Sequence, residues 1–267
     1  MPRRLAFAAA LLTSGAAALV AVPAASAHQM PLHVGSAGIS HIGLDRIGSS
    51  SQANGALATT DTSTNWSGYA INGGTNTSVT TTYIQPTVKC STTPNSYAAF
   101  WAGLDGFSSS TVEQDGTLAE CVGTRAEYLG WYETYPNPMY QFGGAVKPGD
   151  VITSTVTSVS PTQFVLYLAD KPAVGTGWSV STTQTLASPA ALSSAEVIAE
   201  APSSNTGVLP LADFGLAKFS SAAVNGATLT NGPNTVAINM VSSRRVLESD
   251  AGTLNAAGGF NVLWKSE

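Results

Sequence analysis

Beyond about residue 61 the chain is written in short runs rich in Val, Ile, Thr and aromatic residues. "SVTTTYIQPTVK", "DVITSTVTSVS", "QFVLYLAD", "GWSVSTTQTL", "NTVAINMV" and "FNVLWK" read as strands. "INGGTN", "KPGD", "LADKPAVGTG", "TNGPN" and "NAAGG" read as the turns between them. Period-two alternation sets Val151, Thr153, Thr155 and Thr157 against Ile152, Ser154, Val156 and Ser158. No stretch carries capped helical periodicity, apart from a turn near "SPAALSSAE". Many short strands at this spacing predict an all-β antiparallel sandwich or barrel. No internal repeat or second linker divides it, so a single domain is expected over 61–267.

The run "SSAEVIAEAPSS" (193–204) places two glutamates around an apolar trio. On a helix, Glu196 and Glu200 would be like-charged i,i+4 neighbours, which is mildly unfavourable. In a β setting the run is a strand ended by Pro202. Glu196, Ile198 and Glu200 then share one face, and Val197 and Ala199 the other. At about 3.3 Å per residue the two carboxylates stand roughly 13 Å apart. That is too far to act on one bond together, so a chemically active glutamate here needs a partner from elsewhere in the chain.

The chain opens "MPRRLAFAAALLTSGAAALVAVPAASAHQ". Its basic start, apolar stretch Leu5 to Val22 and small-residue exit Ala25-Ser26-Ala27 predict a secretory signal peptide over 1–27. The Arg3-Arg4 pair leaves Sec and twin-arginine export both open. Residues 28–60 are rich in Gly, Ser, Ala and Thr without clear periodicity, and predict a flexible tail or a short propeptide. The expected location is secreted, with no membrane attachment after cleavage.

All three histidines, His28, His33 and His41, fall in that segment. From residue 61 onward a Ser-His-Asp triad, a Cys-His pair and a histidine-ligated metal site are therefore excluded. His28 and His33 have a spacing seen in zinc pairs, but no Cys pair accompanies them, and a mobile tail is a poor place for a rigid site. No phosphate-binding glycine fingerprint follows a strand.

Charged residues make up 10% of the chain, far below the usual ~25%. From Asp61 onward 8 Lys/Arg face 15 Asp/Glu, a net charge of 8 − 15 = −7. An acidic, charge-poor surface argues against nucleic acid and anionic membranes as partners, and suits work in acid. Cys90 and Cys121 are an even pair in an exported chain and predict a disulfide.

Without histidine, hydrolysis has to rest on carboxylates, amides, hydroxyls or lysines. Polar residues among aromatics mark three places: "FWAGLDGFSSSTVEQDG" with Trp101, Asp105, Glu113 and Gln114; "YLGWYETYPNP" with Trp131, Glu133 and Tyr135; and the 193–204 strand. Taken singly, these aromatics read as core, Asp105-Gly106 as a turn and a lone strand glutamate as solvent-facing.

In order along the chain, "NWSGYA" (65–70), "FWAGLDG" (100–106), "TVEQDGT" (111–117), "WYETYP" (131–136), "AEVIAEAP" (195–202) and "LPLADFG" (209–215) form a set that resembles the glutamic peptidases, or eqolisins. The resemblance implies a sandwich of two large antiparallel sheets, a monomer, protein or peptide substrates, and neither cofactor nor metal. It implies a catalytic pair matched here by Gln114 and Glu200, with Glu196 at the non-catalytic first acid. Trp66, Asp105, Trp131 and Glu133 match other positions of the family's cleft. Val197 and Ala199 depart from the family's larger residues, at packing positions on the face opposite Glu200.

The residue types suit the chemistry. A carboxylate can take a proton from water and return it to the leaving nitrogen. A glutamine amide can donate to the developing oxyanion. Hydrogen-bond donors around the glutamate are expected to offset its burial. An alkaline limb of activity calls for a second carboxyl that stays protonated, with Asp105 and Glu133 the leading choices. Two other readings use the same residues. One is a glycosidase acting through Glu113 and Glu200. The other is a carbohydrate-binding module displaying Trp66, Trp101, Trp131 and Tyr135.

Overall fold

The computed structural model describes residues 38–50 and 59–267; the expected signal peptide, 1–27, lies outside the described residues. The strands are β1 (Arg46–Ser50), β2 (Thr59–Ser63), β3 (Trp66–Asn72), β4 (Ser78–Ile84), β5 (Tyr97–Leu104), β6 (Val112–Val122), β7 (Arg125–Tyr135), β8 (Tyr140–Ala145), β9 (Val151–Ser160) and β10 (Gln163–Lys171). They continue with β11 (Trp178–Thr185), β12 (Ser194–Glu200), β13 (Ser203–Ser204), β14 (Gly207–Val208), β15 (Leu216–Val224), β16 (Ala227–Thr228), β17 (Thr235–Val241), β18 (Leu247–Ala251) and β19 (Phe260–Trp264). No helix forms among the described residues.

Two layers face each other. The first runs β1-β2-β17-β3-β12-β5-β6-β7-β8, and the second runs β19-β15-β4-β9-β10-β11. The predicted sandwich is present, with two refinements. β18 pairs with both β17 and β19, so hydrogen bonding runs continuously from one layer into the other. One pair, β17 with β2, is parallel.

The alternation read from the sequence becomes a division between two buried clusters. Phe100, Ala102, Leu104, Val197 and Ala199 point between the layers and pack in one core with Ile152, Val156, Phe164 and Leu168. This is where the two departures at 197 and 199 are accommodated. The opposite face of the same strands carries a second, smaller cluster with Trp66, Ala99, Trp101, Leu118, Trp131 and Ile198. Sandwich strands usually turn that outer face to water. Here it is covered, and what covers it includes Ile39 and Leu44 from upstream of the domain.

The disulfide Cys90–Cys121 is formed, with a sequence separation of 31. It closes a loop that contains all of β5 and β6 up to Cys121, and so ties down the strand bearing Gln114. Loops of this size typically contribute about 3–4 kcal/mol. Cys90→Ser combined with Cys121→Ser is therefore expected to lower stability by roughly that amount in denaturant titration, and an unchanged midpoint would contradict this role.

Candidate active site

Strands β12, β5, β6 and β7 lie side by side and supply the outer-face side chains. Glu200 is in register with Trp66 on β3 and Ala99 on β5. Gln114 is in register with Gly103 on one side and Glu133 on the other. Glu196 meets Gly103 across β5, so it shares a row with Gln114. Gly103 lacks a side chain because the Trp101 ring lies over it: an added Cβ would meet Cζ3 of Trp101 at 2.8 Å and Cβ of Gln114 at 3.1 Å. That ring stands in the row between Glu196 and Gln114, and its indole N–H donates to Oε2 of Glu200 at 2.7 Å. Strand geometry gives Glu196 and Glu200 the same face; Trp101 gives them different surroundings.

The fourth participant comes from the segment upstream of β1. His41 is fully buried and is bonded on three sides. Its backbone N–H donates to Oε2 of Glu133 at 2.9 Å. Its carbonyl oxygen accepts from Nε2 of Gln114 at 2.8 Å. Its ring Nδ1 lies 2.8 Å from Oε2 of Glu200. The ring stacks on Trp131 at 3.7 Å between centroids and 5° between planes, and Nε2 lies 3.0 Å from the Met139 sulfur. Nε2 of Gln114 also donates to Oε2 of Glu133 at 3.2 Å, and the Ser40 hydroxyl donates to Oε1 at 2.9 Å. Oε1 of Gln114 and Oε1 of Glu200 accept no hydrogen bond.

Burial dominates the titration of the site. It pushes the Glu200 carboxyl well above the ordinary range, against the opposing pull of the Trp101 indole. The expectation that donors would offset burial does not hold in this closed site, because too few of them reach the carboxyl. Burial drives His41 down to about 4, opposed by the negative charge of Glu133. Glu133 is carried up to about 7, again by burial, with His41 and Ser40 pulling it back. Burial thus disfavours the charged form of both partners in the His41–Glu200 contact.

The remaining expected residues divide. Trp131 and Glu133 touch His41, and Trp66 packs edge-on against Trp101 at 5.0 Å. Asp105 is not among the groups that meet His41. It sits at φ 67°, a left-handed conformation that Asp tolerates. Its carboxylate accepts from the backbone N–H groups of Leu192 and Ser193 at 2.7 and 2.8 Å and from the Ser193 hydroxyl at 3.0 Å. It therefore fastens the entry to β12. Glu196 is buried and raised well above the ordinary range, with Asp105 and Glu113 adding to burial and the Ser194 hydroxyl opposing.

The two rival readings lose their geometry. Glu113 alternates to the other side of β6 from Gln114, beside Asp105, and is raised to about 8 by burial and that neighbour. It does not pair with Glu200 across a bond. With the segment around His41 seated, Trp66, Trp101 and Trp131 are each wholly buried, and of the expected sugar platform only Tyr135 is partly exposed.

His41 is the residue that sequence reasoning passed over. The signal available was local: in "GISHIGL", Ile39, His41 and Gly43 alternate with Ser40, Ile42 and Leu44. That is a short strand-like pattern inside a segment otherwise read as a tail.

The two-layer β fold is shared with solved glutamic peptidases. The Peptidase A4 family matches residues 64–255. The chain belongs to this family and is a hydrolase acting on peptide bonds. Solved structures share the fold. Scytalido-glutamic peptidase with a transition state analog inhibitor aligns at 22% identity and a TM-score of 0.65, covering 76% of this chain and 98% of that one. SCP-B, a member of the Eqolisin family in a complex with the tripeptide Ala-Ile-His, aligns at 20% and 0.61, covering 76% and 98%. Aspergilloglutamic peptidase from Aspergillus niger aligns at 23% and 0.54, covering 64% and 99%. No match was found among curated protein sequences.

Proposed function

We propose that the protein is a secreted, acid-active endopeptidase in which Glu200 activates water and Gln114 stabilises the oxyanion. The observation that carries this reading is the pose of His41: a peptide carbonyl already accepts from Nε2 of Gln114 while the same residue reaches the Glu200 carboxyl. A substrate peptide laid in that position presents its carbonyl oxygen to Gln114. Water beside Glu200 gives its proton to the carboxylate and adds to the carbonyl carbon. The amide N–H of Gln114 holds the developing negative charge, and such a donor is worth roughly 3–4 kcal/mol. The protonated Glu200 then delivers the proton to the leaving nitrogen. SCP-B was solved in a complex with the tripeptide Ala-Ile-His, which supports peptide binding by this protein.

Glu133 is the second carboxyl. It shares Nε2 of Gln114 with the bound carbonyl. Ionised, it places a negative charge beside the forming oxyanion; protonated, it does not. This assigns the alkaline limb of activity to Glu133 in preference to Asp105, whose oxygens are taken up by residues 192–193. The acid limb reports Glu200 losing its charge and the alkaline limb Glu133 losing its proton, both once the cleft is open to water and the burial that raises each carboxyl in the closed site is relieved.

Digestion of denatured casein and of a polysaccharide at about pH 3 tests the reading. Cleavage of casein alone is expected; polysaccharide cleavage, or no cleavage of either, would contradict it. Glu196→Gln is expected to keep most of the casein activity, because Trp101 stands between Glu196 and Gln114. Loss as complete as that of Glu200→Gln would reverse the assignment.

A further inference from the structure

We propose that Ile39–Leu44 is an intramolecular inhibitor. It lies in the cleft as a substrate would, and it is not cut because its own histidine ring takes the carboxylate that would activate water. The proposal rests on the peptidase reading above.

The segment is held by backbone at both ends of the site. Ser40 pairs with Ser203 through both of its backbone groups, each bond 2.8 Å. The N–H of Leu44 donates to the carbonyl of Gly106 at 3.0 Å. Between these anchors the chain passes so close to the 105–106 turn that a Cβ on Gly43 would stand 2.8 Å from the Gly106 oxygen. Nδ2 of Asn65 donates to the Gly43 carbonyl at 3.1 Å, and Oδ1 of Asn65 accepts from the Asp45 N–H at 2.9 Å. Just beyond, Arg46 pairs with Asp61 at 2.9 Å and lies over the Phe107 ring.

The middle residue uses the hydrolytic groups themselves. Gln114 holds the His41 carbonyl, Glu133 holds its N–H, and its ring nitrogen lies against Oε2 of Glu200, the oxygen that also accepts from Trp101. An ordinary structural strand would spend its hydrogen bonds on neighbouring backbone. His41 spends all of these on three side chains whose only common feature is their place in the proposed reaction. Past His41 the path opens into a cavity of about 950 Å³, lined by Ile42 and Leu44 together with Phe107, Thr111, Tyr135 and Ser188. A substrate can reach Gln114 and Glu200 only when this segment has left.

The carbonyl of residue 41 is thus presented for attack while the base is blocked. Removing the ring should turn inhibitor into substrate. Water would add across the 41–42 bond, its hydroxyl going to the carbonyl carbon of residue 41 and its proton to the nitrogen of Ile42.

The test uses the full chain, measuring initial casein cleavage and the N-terminus by mass spectrometry. Wild type is expected to start slowly. His41→Ala is expected to start at least tenfold faster and to yield a new N-terminus at Ile42. Gly43→Val, which unseats the segment without touching the hydrolytic groups, is expected to start faster without that cut. A synthetic peptide covering residues 36–47 added to His41→Ala should restore inhibition and quench tryptophan fluorescence as its histidine stacks on Trp131. Equal initial rates for wild type and both variants, with no inhibition by the peptide, would overturn the proposal and leave the peptidase reading standing. Folded variants that cut nothing at any pH would overturn both.

Discussion

Glu200→Gln is expected to abolish peptide hydrolysis while the protein stays folded. The substitution keeps the shape of the side chain and can still meet the Trp101 indole and the His41 ring. What it removes is the carboxylate to which the proposed mechanism gives the proton of water, and a carboxamide cannot replace it. Gln114→Ala removes the donor to the carbonyl instead. Its expected cost is at least roughly a hundredfold in turnover, the usual range for a single oxyanion donor. Both are measured as casein cleavage at steady state, with far-UV circular dichroism to check folding. Substantial activity in Glu200→Gln would remove the base from the mechanism. A Gln114→Ala enzyme within a few-fold of wild type would remove the oxyanion donor.

The second large effect is on stability. Glu113 is held up at about 8 and Glu133 at about 7. Asp115, Glu196 and Glu200 are all raised well above the ordinary range, in each case chiefly by burial. A carboxyl with a raised folded pKa favours the fold when protonated. That contribution is complete below the unfolded pKa near 4 and is lost as pH rises through the folded value. Across about pH 5 to 8 these groups must either ionise in the interior or hold their protons against solution, and every tenfold change in proton affinity on folding corresponds to about 1.4 kcal/mol. His41 runs the other way. Its folded pKa is lowered to about 4, so its contribution is complete above about 6.5 and is lost as pH falls through 4. One histidine is outweighed by five buried acids. The melting temperature is therefore expected to drop by roughly 10 °C or more between about pH 4 and pH 8. A flat or rising profile by calorimetry would contradict the burial account.

The strands, their faces and the division of 196–200 into two sides were legible because period-two alternation is a local property. That an acid of β12 and an amide of β6 face the same covered side follows from the same alternation. Three features were not legible. The segment around His41 reaches Glu200 over 159 residues and Glu133 over 92, and nothing in a Gly- and Ser-rich stretch announces so distant a partner. The distinction between Glu196 and Glu200 depends on a tryptophan from another strand lying over a glycine. Asp105 was expected at or beside the cleft; that its left-handed backbone turns the carboxylate onto residues 192–193, ahead of the strand bearing Glu200, is a contact the motif does not announce. In each case a tertiary contact decides what a sequence position can only suggest.

The most direct test of the central claim is the pH profile of steady-state casein cleavage, with and without a metal chelator and serine- and cysteine-directed reagents. The account predicts a bell centred at about pH 3–4, little activity at neutrality and no effect of any reagent. An optimum near neutrality, or loss of activity with the chelator, would contradict a mechanism built on Glu200 and Gln114.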